Sequence, residues 1–473
     1  MMKNMNKIIF FGAGKRLKRI VDEKPHLIKI NEVLFAVDNN SLLWGQKRDG
    51  IIILQPERIV VETYDYVVIT CVDAGKIYEQ LIGLEVPKEK IISFNQFMLT
   101  DRHGEYKEYG ETYILKNNKT NFCIVAVKLA YNGGAVAVMN AAKALKEAGY
   151  NVIIAAPDAE DDFLEDLINN KLSIFIMPGL DAPTKYECEW ISKFDYVFVN
   201  SFIMLPCVIE FQKFKPVIWW LHESSFFYPG VFRENPQYYN QEPDVNTKVL
   251  SVSGFAKKNF EVYYPGRVDD ILPLAIKDVD NYKKLPVGGK CVFAFVGEII
   301  IYKGIHSIIE AFEALSEAQI QNSELWIIGR NYNDEYGIDI AKRIEKNEHI
   351  KHLGVLSQAE VDGIYDNIDA HICASPEEML PTVCIEAMKH GRLCIVSNGA
   401  GITEYLTDGK DSFIFDPNDI TALSDRMSWV INHREEARIM GNNARQVFLE
   451  HLTSDVFVNK VNNIIKELSG VKG

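Results

Sequence analysis

The sequence holds no Cys-x-x-Cys pair, no low-complexity tract and no excess of basic residues. Each absence removes a class of function. With 51 Lys and Arg against 65 Asp and Glu, the net charge of -14 argues against nucleic-acid binding, which needs cations concentrated along a phosphate track. The longest apolar stretch, "YVFVNSFIMLPCVIEF", is broken by Asn200, Ser201 and Pro206 and falls short of the ~20 residues that span a bilayer. The start, "MMKNMNKIIFFGAG", enters a glycine turn too early for a secretory signal. Most of the eight cysteines sit in apolar, strand-like runs and read as small core hydrophobes in a reducing compartment. A cytoplasmic protein is expected. The basic cluster "GKRLKR" leaves open an anion contact or a peripheral contact with the inner face of the membrane.

What is present is core-forming material, 47% hydrophobic over 473 residues, enough for roughly three domains of about 150 residues. Short Val, Ile and Phe runs alternate with helical patterns, the signature of parallel sheets covered by helices. Three such α/β sheets are expected. The first spans residues 1–105 and ends at the polar segment "TDRHGEYKEYGETYILKNNKT". The second spans 120–283 and opens with a strand, a glycine turn and a long helix, with Gly149 as its C-cap. The third spans 284–455, after a boundary in "KDVDNYKKLPVGGK", and residues 456–473 form a last amphipathic helix expected to pack back on the second domain.

The densest chemistry lies in "SPEEMLPTVCIEAMKHG", residues 375–391. It follows the strand-like "AHICAS" and turns into a helix, so it belongs at the carboxyl edge of a parallel sheet, where ligands bind. Pro381 suits the first helical turn, and the free amides around Met379, Leu380, Thr382 and Val383 form an anion site. Glu378 and Glu386 flank that site. Glu386 lies among Val383, Cys384, Ile385, Ala387 and Met388, where an unpaired carboxylate would be costly, so hydroxyl donors of a ligand are its expected partners.

This pattern resembles the retaining "group 1" glycosyltransferases of the GT-B fold, whose hallmark is Glu, seven residues and Glu, followed by Ala-Met and a nearby Gly. The resemblance runs from about residue 120 to 470 through "NGGA" at 132–135, "LHE" around His222, "VGEIIIYKG" at 296–304 and "NGAGITEYLTDGKDSFIFDPND". It implies two Rossmann-like domains facing a cleft, here preceded by a third small Rossmann-like domain. It also implies a nucleotide-sugar donor as co-substrate, a glycan or lipid-linked acceptor and no resident cofactor; no Asp-x-Asp cluster stands at a matching strand end, so no metal is expected. By the same resemblance Glu386 would hold the donor ribose and Glu378 the sugar hydroxyls. Lys303 would neutralise the diphosphate, His222 would stand beside the reacting sugar, and the Gly133-Gly134 turn would admit donor or acceptor. Glu298 departs from the pattern, since the family usually has Arg there.

The first domain carries Gly12, Gly14 and Asp38 in the arrangement of a dinucleotide turn, but Leu17 stands where the third glycine belongs. Two rival readings remain. One is a non-catalytic transferase-like partner subunit, favoured by Glu298. The other is a nicotinamide-dependent oxidoreductase acting through the first domain, disfavoured by the imperfect glycine pattern and the lack of a Tyr-x-x-x-Lys pairing there.

Overall fold

The computed structural model describes residues 5–234, 241–279 and 288–470. The expected boundary at 283/284 lies outside the described residues. The chain forms two compact units, one of Met1–Val138 with Gly149–Val249 and one of Met139–Ala148 with Leu250–Gly473.

The first unit contains a six-stranded sheet in the order Lys47–Arg48, Ile51–Leu54, Glu32–Val37, Lys7–Phe11, Tyr66–Ile69, Ile91–Ser93. All neighbours are parallel except the short Lys47–Arg48 edge. Alternate residues of each strand feed two cores, Ile8, Phe10 and Val68 on one face and Ile9, Phe11 and Val67 on the other. Such two-sided burial requires continuous apolar runs like "KIIFF".

A second sheet is built around Asn121–Val125, flanked by Tyr196–Asn200 on one side and Asn151–Ala156 on the other, with Val217–Leu221 and Ser173–Ile176 beyond them. The segment expected to be a polar break contributes a strand of its own, Lys107–Gly110, antiparallel to Ser173–Ile176. As an edge strand it has one side in water, so "KEYG" carries no apolar signature. The start of this connector is pinned at two points. Asp101 pairs with Lys24 and His26, while the fully buried Glu187 accepts hydrogen bonds from the backbone of Gly104 and Thr184. Burial alone would raise the Glu187 carboxyl, but its hydrogen bonds with His103, Gly104 and Thr184 outweigh that and hold it at about 2.

The second unit carries a fully parallel six-stranded sheet in the order Ile350–Gly354, Ser323–Ile328, Cys291–Val296, Ala370–Cys373, Leu393–Ser397, Ser412–Phe415. Helices Ile305–Glu313 and Ile420–Asn432 seal one face through Ile308, Phe312, Leu423 and Met427. The eight cysteines are all free, and seven are buried. No helix among the described residues is long and apolar enough to cross a membrane.

Candidate active site

In the second unit, the strand Ala370–Cys373 ends at the carboxyl edge of the third sheet, and the loop beyond it leads into the helix Thr382–Lys389. Pro381 is the residue just before the helix rather than its first member. The first-turn amides of Thr382 and Val383 have no intrahelical acceptor, because the residues four positions earlier lie outside the helix. Met379 and Leu380 are buried, so only their backbone can face a ligand. The Glu378 loop is pinned by Glu378 N–H to the Gly399 carbonyl and by Gly401 N–H to the Glu378 carbonyl.

Lys303 and Glu378 meet here. The ammonium donates to Glu378 Oε1 at 2.8 Å, and the Ser375 hydroxyl donates to Oε2 at 2.7 Å. Burial would lower the Lys303 ammonium, but the Glu378 carboxylate outweighs it by charge and hydrogen bond, so its pKa is raised and the cation persists. Gly304 makes this placement feasible. Its φ is +69°, and a Cβ there would stand 2.5 Å from the Ala374 carbonyl oxygen. The sequence argument missed Ser375, whose only signal was its position three residues before Glu378.

Glu386 is 8% exposed and accepts from Gln358 Nε2 at 3.1 Å. Burial raises its pKa, partly opposed by Lys389. Behind it, Lys389 and His390 both contact Asp362. Glu298 is exposed, and its carboxylate accepts from the Tyr332 hydroxyl at 2.5 Å.

In the first unit, Gly133 and Gly134 open the helix Gly133–Glu147, and His222 follows the strand Val217–Leu221. They line one cavity of about 360 Å³ together with Asn200, Ser201 and Glu223, three residues that the sequence argument left unassigned. Burial pushes the His222 imidazole down to about 3, so it is neutral at ordinary pH.

The glycine turn of the first sheet is occupied by the chain itself. Gly12 has φ +112°, and a Cβ there would lie 2.5 Å from Cys71 Sγ. Gly14 precedes the helix Lys15–Glu23. Asp38 accepts from Ala13 N–H through one oxygen and from Asn40 N–H through the other, both at 2.9 Å. Both carboxylate oxygens therefore hold the local backbone.

Residues 277–447 match the family "Glycosyl transferases group 1", and residues 4–92 match "C2185-like, N-terminal". The capsular polysaccharide biosynthesis glycosyltransferase CapM of Staphylococcus aureus is 23% identical over 225 residues, covering 47% of this chain and 57% of that protein. Glycogen synthase of Mycobacterium tuberculosis is 26% identical over 170 residues, covering 36% of this chain and 40% of that protein. The chain thus spans about half the length of these curated relatives. The crystal structure of Anabaena HepE in complex with UDP-glucose superposes with a TM-score of 0.61 at 15% identity, covering 73% of this chain and 99% of that one. That likeness establishes the GT-B fold.

Proposed function

We propose that the chain, which matches the group 1 glycosyl transferases through residues 277–447, moves a sugar from a nucleotide-sugar donor to a hydroxyl of a glycan or lipid-linked acceptor in surface polysaccharide biosynthesis. The supporting observation is the Lys303–Glu378–Ser375 cluster beside the open amides of the helix Thr382–Lys389. A cation and a helix N-terminus suit a diphosphate leaving group. Charge developing on that group would be stabilised by dipoles and an ammonium already in place, with no metal required. Glu378 would accept from donor-sugar hydroxyls, and Glu386, buried with a single neutral partner, from the ribose. The sugar would leave and be captured on the same face, retaining its anomeric configuration.

The test is to incubate the protein with a panel of nucleotide sugars, following thermal stabilisation and donor hydrolysis with and without a chelator. At least one donor should raise the melting temperature, and its turnover should survive the chelator but fall at least about tenfold in Lys303→Ala, as expected when a charged hydrogen-bonding group is lost. Chelator-sensitive turnover restored by magnesium or manganese would overturn the metal-independent mechanism. Stabilisation by NADH but by no nucleotide sugar would favour the oxidoreductase reading.

A further inference from the structure

Asn200 ends the strand Tyr196–Asn200 and is 3% exposed. Its Oδ1 is buried without a hydrogen-bond partner, and so is His222 Nε2. Both side chains line the same cavity, beside Gly133 and Gly134. A buried amide oxygen left unpaired is costly, so two unpaired polar atoms in one cavity point to a ligand that pairs them.

The next residue shows how the arrangement is held. Ser201 has φ +84°, a conformation unfavourable for a side-chain-bearing residue. Three hydrogen bonds fix it: Ser201 N–H to the Trp220 carbonyl at 2.8 Å, Trp219 Nε1–H to the Ser201 carbonyl at 2.9 Å, and Ile203 N–H to Ser201 Oγ at 3.1 Å. Strain fixed so firmly, one residue from the unpaired amide, holds the end of the strand in one geometry.

The charge of the cavity decides what kind of ligand fits. Its one cation among the described residues, Lys128, is engaged by Glu160 at 2.9 Å and Asp158 at 3.7 Å. Its carboxylate, Glu223, is buried, accepts from His222 N–H at 2.9 Å and is hydrogen-bonded to Ser201. An anion would meet this carboxylate without a free counter-charge. A neutral hydroxyl suits both open atoms, since it donates to an amide oxygen and can either donate to or accept from an imidazole nitrogen.

We propose that Asn200, with His222, is a specificity-determining contact to hydroxyls of a neutral sugar ring, supplied by the donor or by the acceptor. The proposal rests on the glycosyltransferase reading for the identity of the reaction, but not for the contact itself. The full-length chain and Asn200→Ala are compared in donor hydrolysis without acceptor, in transfer with acceptor, and with donor or acceptor analogues lacking single hydroxyls. Asn200→Ala should lower kcat/KM about tenfold or more, and the loss should vanish for the one deoxy analogue that lacks the contacted hydroxyl. A loss seen already in hydrolysis assigns that hydroxyl to the donor, and one confined to transfer assigns it to the acceptor. Unchanged kinetics, or an equal loss for every analogue, overturns the proposal while leaving the transferase reading intact. Free monosaccharides are titrated in parallel. Saturable binding abolished by Asn200→Ala supports the contact even where no nucleotide sugar is turned over, an outcome that would sink the transferase reading alone. Where neither sugars nor nucleotide sugars bind, both readings fall.

Discussion

At the scale of single residues, the informative positions are those where a charge or a polar atom has an unexpected partner. Glu298 stands where group 1 transferases usually carry Arg. An acid facing a diphosphate at about 4–6 Å, with an effective dielectric near 20, would oppose binding by a few kcal/mol. The carboxylate is instead exposed and accepts from the Tyr332 hydroxyl. A screened surface charge of this kind has little influence, so Glu298→Gln should change donor affinity less than about threefold in a calorimetric titration. A tightening of tenfold or more would mean that Glu298 does repel the phosphates, and the non-catalytic reading would gain weight. Glu386 could be singled out from sequence because its neighbours are apolar. Ser375 could not, because a serine between a strand and a loop has many bland explanations, and only its 2.7 Å hydrogen bond to Glu378 separates them.

At the scale of elements, the helix Thr382–Lys389 contributes through its first turn. If its open amides bind the diphosphate, Thr382→Pro should be informative, because a proline at the first helical position removes an N–H without breaking an intrahelical bond. Pro381 is extended, with ψ 111°, as a residue preceding proline must be. Thr382→Pro should therefore melt close to Thr382→Ala while binding nucleoside diphosphate about tenfold or more weakly, the scale of one charge-assisted hydrogen bond. Equal affinities in the two variants would exclude that amide from the site. The 3-10 turn Ile301–Lys303 makes a complementary point. Sequence identifies the lysine, but its approach to Glu378 depends on Gly304 passing close to the Ala374 carbonyl, a long-range contact that no local pattern encodes. Likewise, the strand Lys107–Gly110 was unreadable because an edge strand of four mostly exposed residues has neither an apolar run nor clean alternation.

At the scale of the whole molecule, buried ionisable groups couple stability to pH. His371 is fully enclosed in the strand Ala370–Cys373, neither ring nitrogen has a partner, and burial pushes its pKa from 6.5 to about 3. The unfolded chain therefore takes up this proton first. Stability is full above about pH 6.5 and falls as pH drops towards about 3, by up to ~1.4 kcal/mol per unit. Asp181, raised to about 6 by burial and by Asp158, takes up its proton earlier when folded and works in the opposite sense below that pH. In melting curves from pH 7.5 to 5.5, His371→Phe should melt at or above the parent at pH 7.5 and lose less on acidification, whereas an equal loss in both proteins would refute the assignment. The sequence by itself determined three largely parallel α/β sheets and singled out the stretch around Glu378, because apolar period, glycine turns and short motifs are local and survive without a partner. Tertiary structure alone decided that the start of the connector is pinned by Lys24, His26 and Glu187, that both Asp38 oxygens hold its own backbone, and that Asn200 and His222 leave two unpaired atoms in one cavity. Those outcomes depend on which distant groups meet, and the energy of a buried polar atom is set by that meeting.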